Sequence, residues 1–223
     1  MKPRKVLDET TTPDGSPLVL AIEAGHYMIS VGGVPLMSSE MYGSEQAMAH
    51  YAHEELAACP GPRVLVGGLG MGFTLRAALD TFGEGAKITV AELMPELVHY
   101  NRGELGDLAG RPLEDPRVEL FEGDVRRPLE DRRWDVVLMD VDNGPHSFTA
   151  KSNGSLYDQR GVERMTDCLD PGGVLVVWSA YPSPGFEERI ARTGLSCRTE
   201  HVRGRWPIRK GPRHVLTIAS RPK

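Results

Sequence analysis

Four glycines fall within six residues at Gly67-Gly68-Leu69-Gly70-Met71-Gly72, directly after the short apolar run Arg63–Val66 and directly before a helix-patterned stretch at Gly72–Phe82. A strand running through glycines into a helix opens a βα unit, and glycine there permits positive φ and lets a ligand approach the backbone without meeting a Cβ. The alternation continues along the chain. Lys87–Glu92 reads as a second strand, and Pro95 suits the first turn of a helix reaching about Arg102. Val118–Glu122 and Asp135–Asp140 read as two more strands, followed by a helix from about Leu156 to Leu169. Pro171-Gly172-Gly173 stops that helix and launches a strand at Val174–Ser179, and Ser183 caps a helix beginning at Pro184. Repeated βα units predict a mostly parallel sheet with helices on both faces. Ser196–Val202 and His214–Ala219 then add an antiparallel hairpin at its edge, for seven strands in all.

The first third follows a different pattern. Pro17–Ile22 and His26–Val31 are β-rich runs separated by Glu23-Ala24-Gly25, and Gly32-Gly33 supplies the next turn. Ser44 is placed to cap a helix running to about Ala58, with Met48, Tyr51, Ala52 and Leu56 on one face. Pro60-Gly61-Pro62 ends it and marks the domain boundary. The expected organisation is a β-meander and helix over residues 1–60, and a Rossmann-like nucleoside-binding catalytic domain over 61–223.

Composition narrows the class. The formal net charge is -5, the charged fraction 26% and the apolar fraction 40%, as in ordinary globular protein. The longest apolar run, Val174–Trp178, is far short of a membrane span, and Met1–Gly15 lacks the apolar centre of a signal peptide. The chain is therefore read as cytoplasmic and without a membrane partner. Cys59, Cys168 and Cys197 are odd in number and far apart, which argues against a disulfide framework or a zinc knuckle. From Arg198 onward the chain carries eight Lys and Arg against one acid. Interleaved Val202, Trp206 and Ile208 read as a hairpin with basic turns rather than as a nucleic-acid-binding tail.

In open α/β sheets, ligands sit outside the carboxyl ends of the strands. The first such end carries Gly68, Gly70 and Gly72; the second carries Glu92, where a carboxylate can accept from both ribose hydroxyls. The third ends in Glu122-Gly123-Asp124, placing an acid where an adenine amino group donates, and the fourth in Asp140, with Asp142, Asn143 and His146 just beyond. Four such ends in order point to a nucleoside. A dinucleotide fingerprint places its third glycine where Phe73 stands, so Gly-x-Gly-x-Gly fits a ligand without pyrophosphate, such as S-adenosylmethionine, better than NAD.

The run Val64–Arg76, then Ile88–Glu92 with Pro95-Glu96-Leu97, Gly123-Asp124 and Trp134–Asp140, resembles in order the motifs of the spermidine/spermine synthase family. The resemblance spans roughly residues 16–180 and takes in the N-terminal meander. It implies a class I methyltransferase-like Rossmann fold binding S-adenosylmethionine or its decarboxylated form. Within it Glu92 would hold the ribose, Asp124 the adenine, the Gly68–Gly72 loop the tail around the sulfonium, and Asp140 would sit beside the attacking amine. The sequence departs from the family at three places. Met71 stands where an Asp meets the aminopropyl ammonium, Ser39-Glu40 and Gly43 replace an Asp-Glu and a Tyr, and Asp140-Val141-Asp142-Asn143-Gly144-Pro145 replaces Asp-Ser-Ser-Asp-Pro.

The expected activity is transfer from a sulfonium donor to a small amine-type nucleophile. Asp140 serves as base or orienter, Asp142 offers a second ammonium partner or a turn, and His146 offers a proton carrier. Because Met71 cannot pair with a cation, methyl transfer is expected ahead of aminopropyl transfer to a polyamine; a nucleoside-binding protein without chemistry is the further alternative. Tyr157, Trp178 and Tyr181 are read as pocket walls or core. No metal is assigned, since the fifth strand ends in Trp178-Ser179-Ala180 without a carboxylate. A homodimer paired through the meander and the helix at 44–58 is expected.

Overall fold

The computed structural model describes residues 4–141, 144–146 and 154–223. The N-terminal unit is an antiparallel meander of β1 (Lys5–Thr11), β2 (Pro17–Glu23), β3 (His26–Val31) and β4 (Val34–Ser38), followed by α1 (Gly43–Glu55). The remainder alternates as β5 (Arg63–Gly67), α2 (Phe73–Thr81), β6 (Lys87–Glu92), α3 (Pro95–Arg102), β7 (Val118–Glu122), α4 (Arg126–Asp131) and β8 (Trp134–Met139). It continues through α5 (Gly154–Tyr157), α6 (Gln159–Asp167), β9 (Leu169–Ser179), α7 (Pro184–Ala191), β10 (Ser196–Arg203) and β11 (Arg213–Ser220).

The seven-stranded sheet has the order β10-β11-β9-β8-β5-β6-β7. β5 through β9 are parallel, while β11 runs antiparallel to β9 and carries β10 on its outer side. Central strands bury both faces: Val64, Leu65, Val66, Val136, Val137 and Leu138 are each 0% exposed. One core layer packs α1 and α2 on one face, and a second packs Leu156, Val162, Met165, Phe186 and Ile190 on the other.

A third apolar cluster fixes the site. Leu18, Leu20, Ile29 and Val31 of the meander pack on Met71, Phe73, Met94 and Leu97, which follow β5 and β6. The meander is therefore a roof over the carboxyl ends of the strands, where the order reverses at β5.

Several expectations are corrected. Ser44 makes no cap; Tyr42 precedes the helix and the Ser44 hydroxyl turns inward. The helix expected from 156 to 169 is two helices, because Asp158 Oδ1 accepts from Gly161 N and starts a new one. Pro171-Gly172-Gly173 does not precede its strand but lies within β9, which begins by pairing Leu169 with Trp134 and then shifts register. Ser183 sits at the α7 N-cap without a side-chain bond. Gly43, where the resemblance expects a tyrosine, has no room for one: a Cβ would lie 2.2 Å from Trp206 N. The loop joining β10 and β11 fills that space, with Gly43 N donating to Gly204 O at 2.8 Å. The basic C-terminal segment is that hairpin, and several of its charges are paired: Arg198 with Glu55 and Glu200, Arg205 with Glu40. No helix among the described residues is long and apolar enough to cross a membrane.

Candidate active site

The turn after β5 is shaped by its glycines. Gly68 has φ +93° and a Cβ there would stand 2.2 Å from Asp140 O, so the backbone of β5 and the end of β8 approach as only glycine permits. Gly68 N donates to Ala91 O, Gly72 N donates to Leu69 O, and Asn101 Nδ2 braces the turn on Gly70 O, all at 2.8 Å.

Glu92, at the end of β6, is 6% exposed. Its Oε2 accepts from Leu69 N and its Oε1 from Met94 N, both at 2.8 Å. Burial raises its pKa, and the backbone N–H groups oppose that shift. The carboxyl thus ties the glycine turn to the start of α3 and keeps further lone pairs for a ligand. Asp124 is held by its neighbour: Oδ1 accepts from Arg126 N at 2.9 Å, and Arg126 Nη2 pairs with Oδ2 at 3.0 Å.

A cavity of about 150 Å³ lies under the meander and touches Gly68, Gly70, Glu92, Asp124 and Asp140. The strand ends singled out in the sequence therefore converge, Gly72 standing just behind at the N-cap of α2. The β1–β2 turn adds Asp14. Asp142 and Asn143 lie outside the described residues, as does the side chain of His146, whose backbone closes a short 3-10 turn at Gly144–His146. Trp178 reaches the site, Tyr157 packs edge-on to Phe186, and Tyr181 is 61% exposed away from any core.

Asp140 also borders a second, smaller cavity of about 60 Å³, with Thr74, Met71, Trp178 and Glu45. Its Oδ2 accepts from Thr74 Oγ1 at 2.6 Å. Glu45 is the residue that sequence reasoning missed: it lies in the first turn of α1, whose packing beside α2 on the sheet brings it to the far wall of the site. Burial and the neighbouring Asp140 charge push Glu45 up to about 8, and burial pushes Asp140 up to about 6 despite the Thr74 bond. As interacting carboxyls they share one proton near neutrality.

A stability consequence follows. The unfolded chain releases the Glu45 proton near 4.5 and the folded chain near 8, so in between the folded state binds more protons and stability falls as pH rises. His214, lowered by burial to about 4 from 6.5, acts oppositely but only below about 6.5. From pH 6.5 to 8 the unfolding free energy should drop by on the order of 1–2 kcal/mol, and Glu45→Gln should flatten that slope. Thermal denaturation across this range checks it; an equal slope in the variant would contradict the assignment.

The lining of both cavities, among the described residues, carries Asp14, Glu45, Glu92, Asp124 and Asp140 but no Lys, Arg or His. With Asp124 paired to Arg126 and Glu45 holding a proton near neutrality, the remaining carboxyls of the described lining favour cations over anions.

No protein-family model matches the chain. It is 29% identical over 164 residues to a polyamine aminopropyltransferase of Clostridium tetani, covering 71% of this chain and 54% of that protein. It is 28% identical over 131 residues to one of Korarchaeum cryptofilum, covering 57% and 38%. The chain thus spans about half the length of the first relative and less of the second. The spermidine synthase from Thermotoga maritima superposes with a TM-score of 0.76 at 18% identity, over 97% of this chain and 72% of that one. A spermidine synthase in complex with the transition-state analogue AdoDATO gives 0.75 at 17%, with the same coverage. The chain is thus similar in sequence to polyamine aminopropyltransferases and shares the fold of spermidine synthases. The resemblance read from its motifs holds, and so does the fold with its N-terminal antiparallel sheet.

The expectation of methyl transfer is overturned. The two sequence relatives above are both named polyamine aminopropyltransferases. The reasoning from Met71 failed because it weighed one position alone. Met71 is 3% exposed and packs in the roof's cluster, while the cavity's negative charge comes from acids on other elements.

Proposed function

We propose that this chain transfers an aminopropyl group from decarboxylated S-adenosylmethionine to a small amine. The observation that carries the reading is that the lining, among the described residues, is acidic and holds no base. The intact donor's carboxylate would enter that lining with no cation to meet it, whereas the decarboxylated donor brings an ammonium and a sulfonium and no anion. The same lining opposes a pyrophosphate, and with it the nicotinamide reading.

The residues fit the donor. The positive φ of Gly68 and Gly70 exposes backbone to the larger cavity, and Glu92 faces it with free lone pairs. Glu92 holds the ribose hydroxyls, and Asp124 lies at the end suited to the adenine amino group. With Met71 in place of an acid, Asp14 and Asp140 are the anions left for the donor's ammonium. The donor supplies a carbon bound to a sulfonium leaving group. Asp140 stands where the two cavities meet and takes the proton of the incoming amine, freeing its lone pair. Its raised proton affinity suits that role near neutral pH.

The experiment is a product assay: protein, decarboxylated donor and a panel of monoamines and diamines, read by mass spectrometry. Aminopropylated amine with stoichiometric methylthioadenosine supports the reading. Donor binding without any product supports the non-catalytic alternative instead.

A further inference from the structure

Ser44 is 0% exposed at the start of α1, and its hydroxyl touches two groups. Glu45 Oε2 lies at 2.6 Å and His214 Nδ1, at the start of β11, at 2.8 Å. A hydroxyl has one proton and cannot donate to both. With any Glu45 proton carried on Oε2, the oxygen that touches Ser44, two arrangements satisfy the three groups. In one, Glu45 is ionised and accepts from Ser44, while His214 carries its proton on Nδ1 and donates to Ser44. In the other, Glu45 is protonated and donates to Ser44 Oγ, which donates to an unprotonated Nδ1, so the ring proton sits on Nε2. A proton on Glu45 Oε2 and the His214 tautomer are therefore locked together.

The surroundings choose between them. Among the described residues, Asp140 is the titratable group facing Glu45 besides this chain, and its negative charge opposes a second carboxylate. Among the described residues no charged group shifts the His214 ring, which lies 4.8 Å from the Trp178 ring and is kept neutral by burial. Two buried neutral groups joined by a hydroxyl fit the second arrangement.

We propose that His214 is a positioning residue of the smaller cavity: acting through Ser44, it keeps the proton on Glu45 and leaves Asp140 as the one ionised carboxylate. The consequence for chemistry rests on the aminopropyl-transfer reading; the place of the proton does not. An amine arriving as an ammonium then meets one base. Its N–H bond breaks, an O–H bond forms on Asp140, and the nitrogen keeps the electron pair for attack. Glu45, already protonated, cannot take that proton.

Two measurements test this. In the protein alone, labelled on histidine nitrogen, His214 should show the Nε2–H tautomer at pH 7 and convert to Nδ1–H as pH passes about 8, and Glu45→Gln should abolish the conversion. An Nδ1–H ring at pH 7, or a conversion that persists in Glu45→Gln, overturns the proposal whether or not the protein turns over substrate. In the enzyme, His214→Phe keeps the ring's bulk but frees the Ser44 hydroxyl to stabilise ionised Glu45, and the second charge raises the proton affinity of Asp140. The acid limb of the kcat profile should move up by about one pH unit, roughly tenfold in rate on that limb. His214→Asn, whose carbonyl can accept from Ser44, should restore the limb. An unshifted limb in His214→Phe, or a shift that Asn does not rescue, overturns the proposal. Absence of turnover in the unaltered protein would sink the aminopropyl reading and leave the tautomer result to decide the proton's place.

Discussion

Asp140→Asn should lower kcat by roughly 10²- to 10⁴-fold, the range for loss of a positioned general base. The fold should survive, and donor affinity should fall far less than kcat, since Asp14 remains as an anion for the donor's ammonium. The carboxyl sits at the end of β8, tied by its own N–H to Gly67 O at 2.8 Å, and Asn keeps that backbone and can still accept from Thr74. Replacing a carboxylate that burial disfavours by a neutral amide should leave the melting temperature at pH 8 equal or higher. Kinetics, donor titration and a melting curve on one preparation separate these effects. Undiminished turnover in the variant would remove Asp140 from the chemistry.

Glu92→Gln should act oppositely, on binding and stability before rate. Both carboxyl oxygens are committed to backbone donors, Leu69 N and Met94 N. An amide offers one oxygen, so in either orientation its NH₂ faces an N–H group and one buried donor goes unpaired. That costs about 1–3 kcal/mol, or roughly 3–8 °C in melting temperature for a chain of this length. Loss of a charge-assisted acceptor for the ribose should weaken donor binding by roughly 10²-fold. Calorimetry on the variant checks both. Wild-type donor affinity would show that the ribose lies elsewhere.

The parallel sheet was legible because a strand buried on both faces, such as Lys87–Glu92, reads as a near-continuous apolar run; the half-exposed edge strand Val118–Glu122 also falls where the pattern put it. β1 was not legible. Its residues Lys5–Thr11 are mostly exposed and polar, and they form a strand only because β2 offers a paired edge. β9 was misread at its start, since Pro171 breaks pattern rules that an irregular register accommodates. Within the site, Gly68, Glu92, Asp124 and Asp140 could be found because a strand end is a place the sequence marks. Glu45 could not. It sits on α1, which packs beside α2 on one face of the sheet, and neither it nor His214, 170 positions after Ser44, carries a local signal of where packing brings it.

The central claim is that two adjoining cavities, whose described lining carries five carboxyls and no base, select the donor without a carboxylate. Calorimetric titration with S-adenosylmethionine and, separately, its decarboxylated form tests it most directly. The decarboxylated ligand should bind at least tenfold more tightly, with the preference shrinking at high salt as the acidic lining is screened. Tighter binding of the intact ligand would contradict both the electrostatic reading of the cavity and aminopropyl transfer.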